Sequence, residues 1–197
     1  RYGGTHPKIA ALREGLTETI VYLREDLLGE ASYYRLLTNG LSMSSSQVAA
    51  RRYMKLFVYL PVALHPSPES ALLISYGVGS TAKALTDTAA LKTIDIVDIS
   101  REIVEASRVA FPPETMWPPD DPRVRVHIED GRFFLLATDR SFDIITAEPP
   151  PPKYAGIENL YSREYFELIH RRLAPGGLAT YWLPVYQLEI PESQAIV

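Results

Sequence analysis

The chain has 197 residues, 46% hydrophobic and 22% charged, with a formal net charge of −4, a globular composition large enough for one domain and a small appendage. The acidic balance argues against nucleic acid as a partner, because phosphate recognition needs a basic face. With no cysteine in the chain, disulfides, cysteine–zinc sites and thiol catalysis are excluded, and no run of about 18 apolar residues is present to span a membrane.

The chain opens on Arg1 rather than Met and reads as part of something longer. Its first dozen residues, through Gly3-Gly4 and Pro7, read as a loose leader. Residues 17–23 and 32–37 are rich in β-branched and aromatic side chains, with Gly29 between them and Asn39-Gly40 after the second run, which predicts a β-hairpin. Ser42 to Ser46 is a capping-rich stretch, and residues 47–64 place apolar side chains at helical spacing. His65-Pro66-Ser67-Pro68 reads as a linker that divides an N-terminal part, 1–65, from a larger domain, 66–197. Beyond it, strands are expected at 71–76, 93–98, 123–128, 142–147 and 178–183, and helices at 80–90, 100–110, 131–137 and 162–173. Proline-rich loops interrupt at 111–122 and 149–154. Such alternation predicts a doubly wound α/β fold around a mostly parallel sheet.

In an open parallel sheet, ligands bind beyond the carboxyl ends of the strands, where the strand order reverses. The first strand is followed by Gly77-Val78-Gly79, where backbone can approach a nucleotide, although any tight strand-to-helix turn uses glycine in the same way. Asp98 follows the second strand about 20 residues later, and its acceptor-only carboxylate suits both hydroxyls of a ribose. The alternative is a cap for the helix starting at Ser100. Asp130, in Glu129-Asp130-Gly131-Arg132 after the third strand, can accept from an adenine amino group, cap the next helix, or both. Glu148 ends the fourth strand and opens the run Pro149 to Pro152, which offers carbonyls but no N–H donors. It reads either as a catalytic group beside a stiff loop suited to an amine, or as an incidental exposed acid. The phosphate-binding patterns GxxxxGK[ST] and GxGxxG are absent, which favours a nucleoside without phosphates over a dinucleotide. His6, His65, His127 and His170 are scattered, so no metal site is expected.

With these residues in place the chain resembles the class I S-adenosylmethionine-dependent fold and, more narrowly, the spermidine synthase (polyamine aminopropyltransferase) family. The likeness runs through the helix at Gln47, Gly77 to Gly79, Val97-Asp98, Glu129-Asp130-Gly131-Arg132, Phe142-Asp143-Ile144-Ile145, Asn159-Leu160-Tyr161-Ser162-Arg163-Glu164-Tyr165-Phe166 and Leu173-Ala174-Pro175-Gly176-Gly177. The text from Glu148-Pro149-Pro150 to Tyr181-Trp182-Leu183-Pro184 is most similar to a subgroup fused to a multi-span membrane region. The resemblance implies a cytoplasmic transferase whose co-substrate is decarboxylated S-adenosylmethionine or S-adenosylmethionine, with no metal. It implies that Asp98 holds the ribose and Asp130 the adenine. Gly77, Gly79, Ser80, Ile99 and Gly131 join them around the nucleoside, Glu148 takes the place of the general-base aspartate, and Gln47 lies toward the substrate. Tyr154 and Tyr161 either wall the substrate pocket or serve as packing residues. Two acids that grip the amine in the family are replaced, one by Ser80-Thr81 and one by Pro151.

The leading expectation is therefore aminopropyl transfer to a small-molecule amine, with Glu148 accepting a proton. Methyl transfer from S-adenosylmethionine is one alternative, and a non-catalytic nucleoside- or polyamine-sensing domain of a membrane protein is another. A chain ending just after the fifth strand implies an open sheet edge that would favour pairing into a homodimer.

Overall fold

The computed structural model describes residues 7–15, 18–152, 156–184 and 188–196, and these build two sheets. The first holds β1 (Lys8–Glu14), β2 (Thr19–Leu27), β3 (Glu30–Thr38) and β4 (Leu41–Ser45) in antiparallel order β1-β2-β3-β4. It is larger than the expected hairpin. β1 falls in the stretch read as a leader and β4 in the stretch read as capping serines. β1 is almost wholly exposed, so it lacks the alternation that marks a half-buried strand. In β4 the serines serve packing and turns, and Ser46 just beyond it accepts a hydrogen bond from the Tyr34 amide at 2.8 Å. Two-residue turns join β2 to β3 and β3 to β4, with φ of 53° and 89° at Leu28-Gly29 and 51° and 80° at Asn39-Gly40. That left-handed pair matches the twist of a hairpin. Ile20, Tyr22 and Leu36 point inward from this sheet and pack against Val78 and Ala106 of the larger domain.

Helix α1 (Val48–Leu64) links the two parts and buries Met54, Val58 and Pro61. Pro61 has no N–H, so the Phe57 carbonyl one turn earlier loses its helical donor. The hydroxyl of Thr180 supplies the missing bond at 2.8 Å.

The second sheet is all parallel, with β5 (Ser70–Ile74), β6 (Thr93–Asp98), β7 (Val124–Ile128), β8 (Phe142–Ala147) and β9 (Leu173–Tyr181) in order β7-β6-β5-β8-β9. Its central strand β5 carries an unbroken buried apolar run, Ala71 to Ile74, as expected where helices cover both faces. One face, with Leu73, Ile94, Ile96 and Ile144, packs with α2 (Ser80–Thr86) and α3 (Arg101–Ala106). The other, with Leu72, Ile74, Val97 and Ile145, packs with α4 (Gly131–Ala137) and α5 (Arg163–Arg172). A short α6 (Ile190–Ile196) follows. β9 starts five residues before the expected strand because Pro175-Gly176-Gly177 forms an irregularity inside it, between the pairs Phe142–Leu173 and Ile144–Leu178. α2 is shorter than expected. Beyond its end, Arg123 donates to the carbonyls of Thr88 at 3.0 Å and Leu91 at 2.9 Å, and also to that of Thr86. Among the described residues no helix is long and apolar enough to cross a membrane.

Candidate active site

The strand order reverses between β5 and β8, and that reversal leaves a crevice at their carboxyl ends. On the β5 side Ser75 takes φ +73°, a left-handed conformation uncommon for serine, and its amide donates to the Val97 carbonyl at 3.0 Å. The chain then turns through Gly77 (φ +58°) and Gly79 (φ +81°). A methyl group on Gly77 would lie 3.0 Å from Ser44 Oγ of β4, and one on Gly79 would lie 2.6 Å from the Tyr76 hydroxyl and 3.0 Å from Phe111. Both glycines are thus required by the protein's own packing as well as by backbone angle. The Tyr22 hydroxyl reaches from β2 to the carbonyls of Gly77 at 3.2 Å and Ile103 at 3.3 Å, pinning the N-terminal sheet onto the turn.

Asp98 ends β6 with 7% of its surface exposed. One carboxylate oxygen accepts from the Tyr76 amide at 2.7 Å and the other from the Ser100 amide at 2.9 Å. Burial pushes its pKa up to about 6 against the pull of those two bonds, with Glu18 adding a smaller upward push. The cap of α3 is Ser100, whose hydroxyl accepts from the Ile103 amide at 3.1 Å, so the capping reading of Asp98 gives way to that of a strap between β6 and the glycine turn. Ile99 beside it is 72% exposed. Asp130 caps α4 through the Phe133 amide at 2.8 Å. Gly131 follows because a methyl there would lie 2.5 Å from Ile74 Cγ2.

Glu148 leaves β8 on the other side of the reversal, its amide donating to the Ile74 carbonyl at 3.2 Å. Its carboxyl accepts a hydrogen bond from the Thr81 hydroxyl, on the first turn of α2. Burial raises its pKa to about 7, and the Thr81 bond opposes that rise. Among the described residues, no cation forms an ion pair with Asp98, Asp130 or Glu148. Lys83, on α2, is paired with Asp87. Among the described residues the crevice therefore presents acceptors without an ion-pair partner, which suit a cationic ligand, and no cation placed for a phosphate.

The proline loop is braced from behind. The Tyr161 hydroxyl lies 3.3 Å from the Pro149 carbonyl and 3.1 Å from that of Pro150. The two carbonyls expected to orient an amine are thus shared with this side chain. Tyr161 is 6% exposed and meets Tyr181 edge-on at 5.5 Å, and Tyr181 in turn donates to the Leu160 carbonyl. Gln47 stands exposed at the start of α1, without a capping bond to the helix. Ser80 is buried as the first residue of α2. Tyr154 lies outside the described residues. Sequence reasoning noted Thr81 only as the replacement for an acid. Its bond to Glu148 depends on β5 and β8 being neighbours, which the sequence does not display.

A family model for the spermine/spermidine synthase domain matches residues 50–188. The chain belongs to this family. As a spermine/spermidine synthase family member it is 34% identical over 129 residues to the polyamine aminopropyltransferase of Streptococcus uberis, covering 66% of this chain and 45% of that protein. It is 31% identical over 150 residues to the polyamine aminopropyltransferase of Pyrobaculum calidifontis, covering 74% of this chain and 52% of that one. The chain thus spans about half the length of these curated relatives. A spermidine synthase solved with the transition-state analogue AdoDATO superposes with a TM-score of 0.76 at 20% identity, over 88% of this chain and 57% of the other. The spermidine synthase of Thermotoga maritima gives 0.71 at 19%, over 88% and 55%. These likenesses are of fold, and they agree with the parallel sheet and its antiparallel N-terminal partner.

Proposed function

We propose that this chain carries the catalytic centre of a transferase that moves an aminopropyl group from decarboxylated S-adenosylmethionine to a small-molecule amine, in a cytoplasmic setting. The observation that carries the reading is Glu148, a desolvated carboxyl at the strand-order reversal with a pKa raised to about 7 and no cation partner among the described residues. Such a group accepts a proton near neutral pH and is efficient as a general base there.

The amine nitrogen attacks the carbon bonded to the positively charged sulfur. The carbon–sulfur bond breaks, its electron pair returns to sulfur to leave a neutral thioether, and the proton lost from nitrogen passes to Glu148. The sulfonium already activates the carbon, so holding the amine in line supplies most of the rate. Asp98 takes the ribose hydroxyls and Asp130 the adenine amino group. Gly77, Gly79, Ser80, Ile99 and Gly131 surround the nucleoside, with Gln47 and Tyr154 on the amine side and Tyr161 supporting the proline loop from behind.

Calorimetric titration with decarboxylated S-adenosylmethionine, S-adenosylmethionine and methylthioadenosine in parallel tests the reading. The decarboxylated donor is expected to bind tightest. Preference for intact S-adenosylmethionine would point to methyl transfer instead, and no binding by any of the three would remove the nucleoside site. Glu148→Gln is expected to keep nucleoside affinity while turnover falls by about 10²–10⁴-fold. Unchanged turnover would remove Glu148 as the base.

A further inference from the structure

We infer that Thr81 is a positioning residue, whose hydroxyl holds one oxygen of Glu148 and leaves the other free for the substrate's proton. The inference rests on Glu148 being the base.

Thr81 is 2% exposed and belongs to the first turn of α2, directly after the glycine turn that leaves β5. β5 and β8 pair from Ala71–Ile144 to Ile74–Ala147, so the strand ends bring this helix start and Glu148 side by side. Among the described residues the Thr81 hydroxyl is the one hydrogen-bond partner of the Glu148 carboxyl. Titratable side chains on neighbouring elements include Lys83 on α2, paired with Asp87, Lys55 and Tyr59 on α1, Tyr76 in the glycine turn, Asp98 at the end of β6, Asp143 on β8, and Tyr161 and Tyr181 behind the proline loop. None of them moves the pKa of Glu148, which burial raises and Thr81 lowers.

A hydroxyl is suited to this task. It donates to the carboxylate before proton transfer and can accept from the carboxylic acid afterwards, so the contact survives both states. Being neutral, it steadies the side chain without the deep pKa depression that an arginine or lysine would impose. A bond to the charged form lowers a carboxyl pKa, so its loss raises it.

The test follows the carboxyl stretch of Glu148 by infrared difference spectroscopy against pH, with Glu148→Gln identifying the band. Wild type, Thr81→Val, Thr81→Ala and Thr81→Ser are compared, with Thr146→Val as a control. Thr146 is a fully buried threonine two residues before Glu148, and its hydroxyl has no partner among the described residues. The Val and Ala variants, one keeping the volume and one not, are expected to move the midpoint up, while Ser restores it and Thr146→Val leaves it in place. In the same direction, the acid limb of kcat/KM should move to higher pH, and activity on that limb should fall about tenfold for every pH unit the limb moves. An unmoved midpoint in both donor-less variants, or an equal displacement in Thr146→Val, would overturn the assignment. The infrared titration needs no substrate. A wild type that binds no donor while the midpoint still responds to Thr81 would therefore fail the transferase reading and leave the Thr81–Glu148 pairing standing.

Discussion

Glu148 and Asp98 occupy positions where burial makes a negative charge costly, and the cost sets a pH dependence. Their folded-state pKa values, about 7 and about 6, lie above the ordinary 4.5 and 3.8. The folded chain therefore binds these protons more tightly than the unfolded chain, and stability declines as pH rises through each interval. For Glu148 the full effect is about 3 kcal/mol. Glu148→Gln cannot ionise, so its thermal stability should match wild type near pH 4 and exceed it above pH 7.5. Parallel melting curves across that range would contradict a desolvated Glu148. Leu28 presents a different local cost. It is 96% exposed at φ +53°, whereas Asn39 in the equivalent turn accepts from the Thr19 amide at 2.8 Å. Leu28→Gly relieves a left-handed penalty of about 1 kcal/mol and should raise the melting temperature. A lower one would place the cost elsewhere.

At the level of elements, the coupling of Pro61, Phe57 and Thr180 can be measured. Thr180→Val leaves the Phe57 carbonyl without its donor and should cost about 1–3 kcal/mol. In a Pro61→Ala background the helix supplies an N–H to that carbonyl, so the same change should cost far less. Additive losses in denaturant unfolding would show that the two residues do not share the carbonyl. Elements also show what sequence pattern carries. β5 was legible because its side chains are buried on both faces and Ala71 to Ile74 reads as an apolar run, while β6 and β8 carry short apolar stretches between punctuating loops. β1 and β4 were not, because an exposed edge strand has no hydrophobic period and a run of serines resembles a cap. β9 was clipped for a related reason, since Pro175-Gly176-Gly177 reads as a stop but is accommodated as a bulge. Arg123, which ties off the carbonyls past α2, was read only as the start of a strand. Those carbonyls lie more than 30 residues away, and nothing in the local sequence marks them.

For the whole molecule, the rule that function gathers beyond parallel strand ends made Gly77, Asp98, Asp130 and Glu148 legible as one group, because chain order alone sends those four loops to the same side. The rest depended on tertiary neighbours. The overhanging residues Ser44 and Tyr22 and the support of Thr81 all reach the site from elements whose placement the pattern does not specify. Of these, the Tyr22 hydroxyl on the Gly77 and Ile103 carbonyls, together with Ser44 against Gly77, makes the glycine turn a shared possession of both sheets. Local opening of the N-terminal sheet should then be felt as hydrogen exchange at the amide of Gly79, which donates to the Tyr76 carbonyl three residues earlier at 3.0 Å. Exchange at that amide should speed up in Tyr22→Phe while the amides of β8 stay protected. The turn that we propose meets the nucleoside would thus breathe with a sheet that contributes none of the acids.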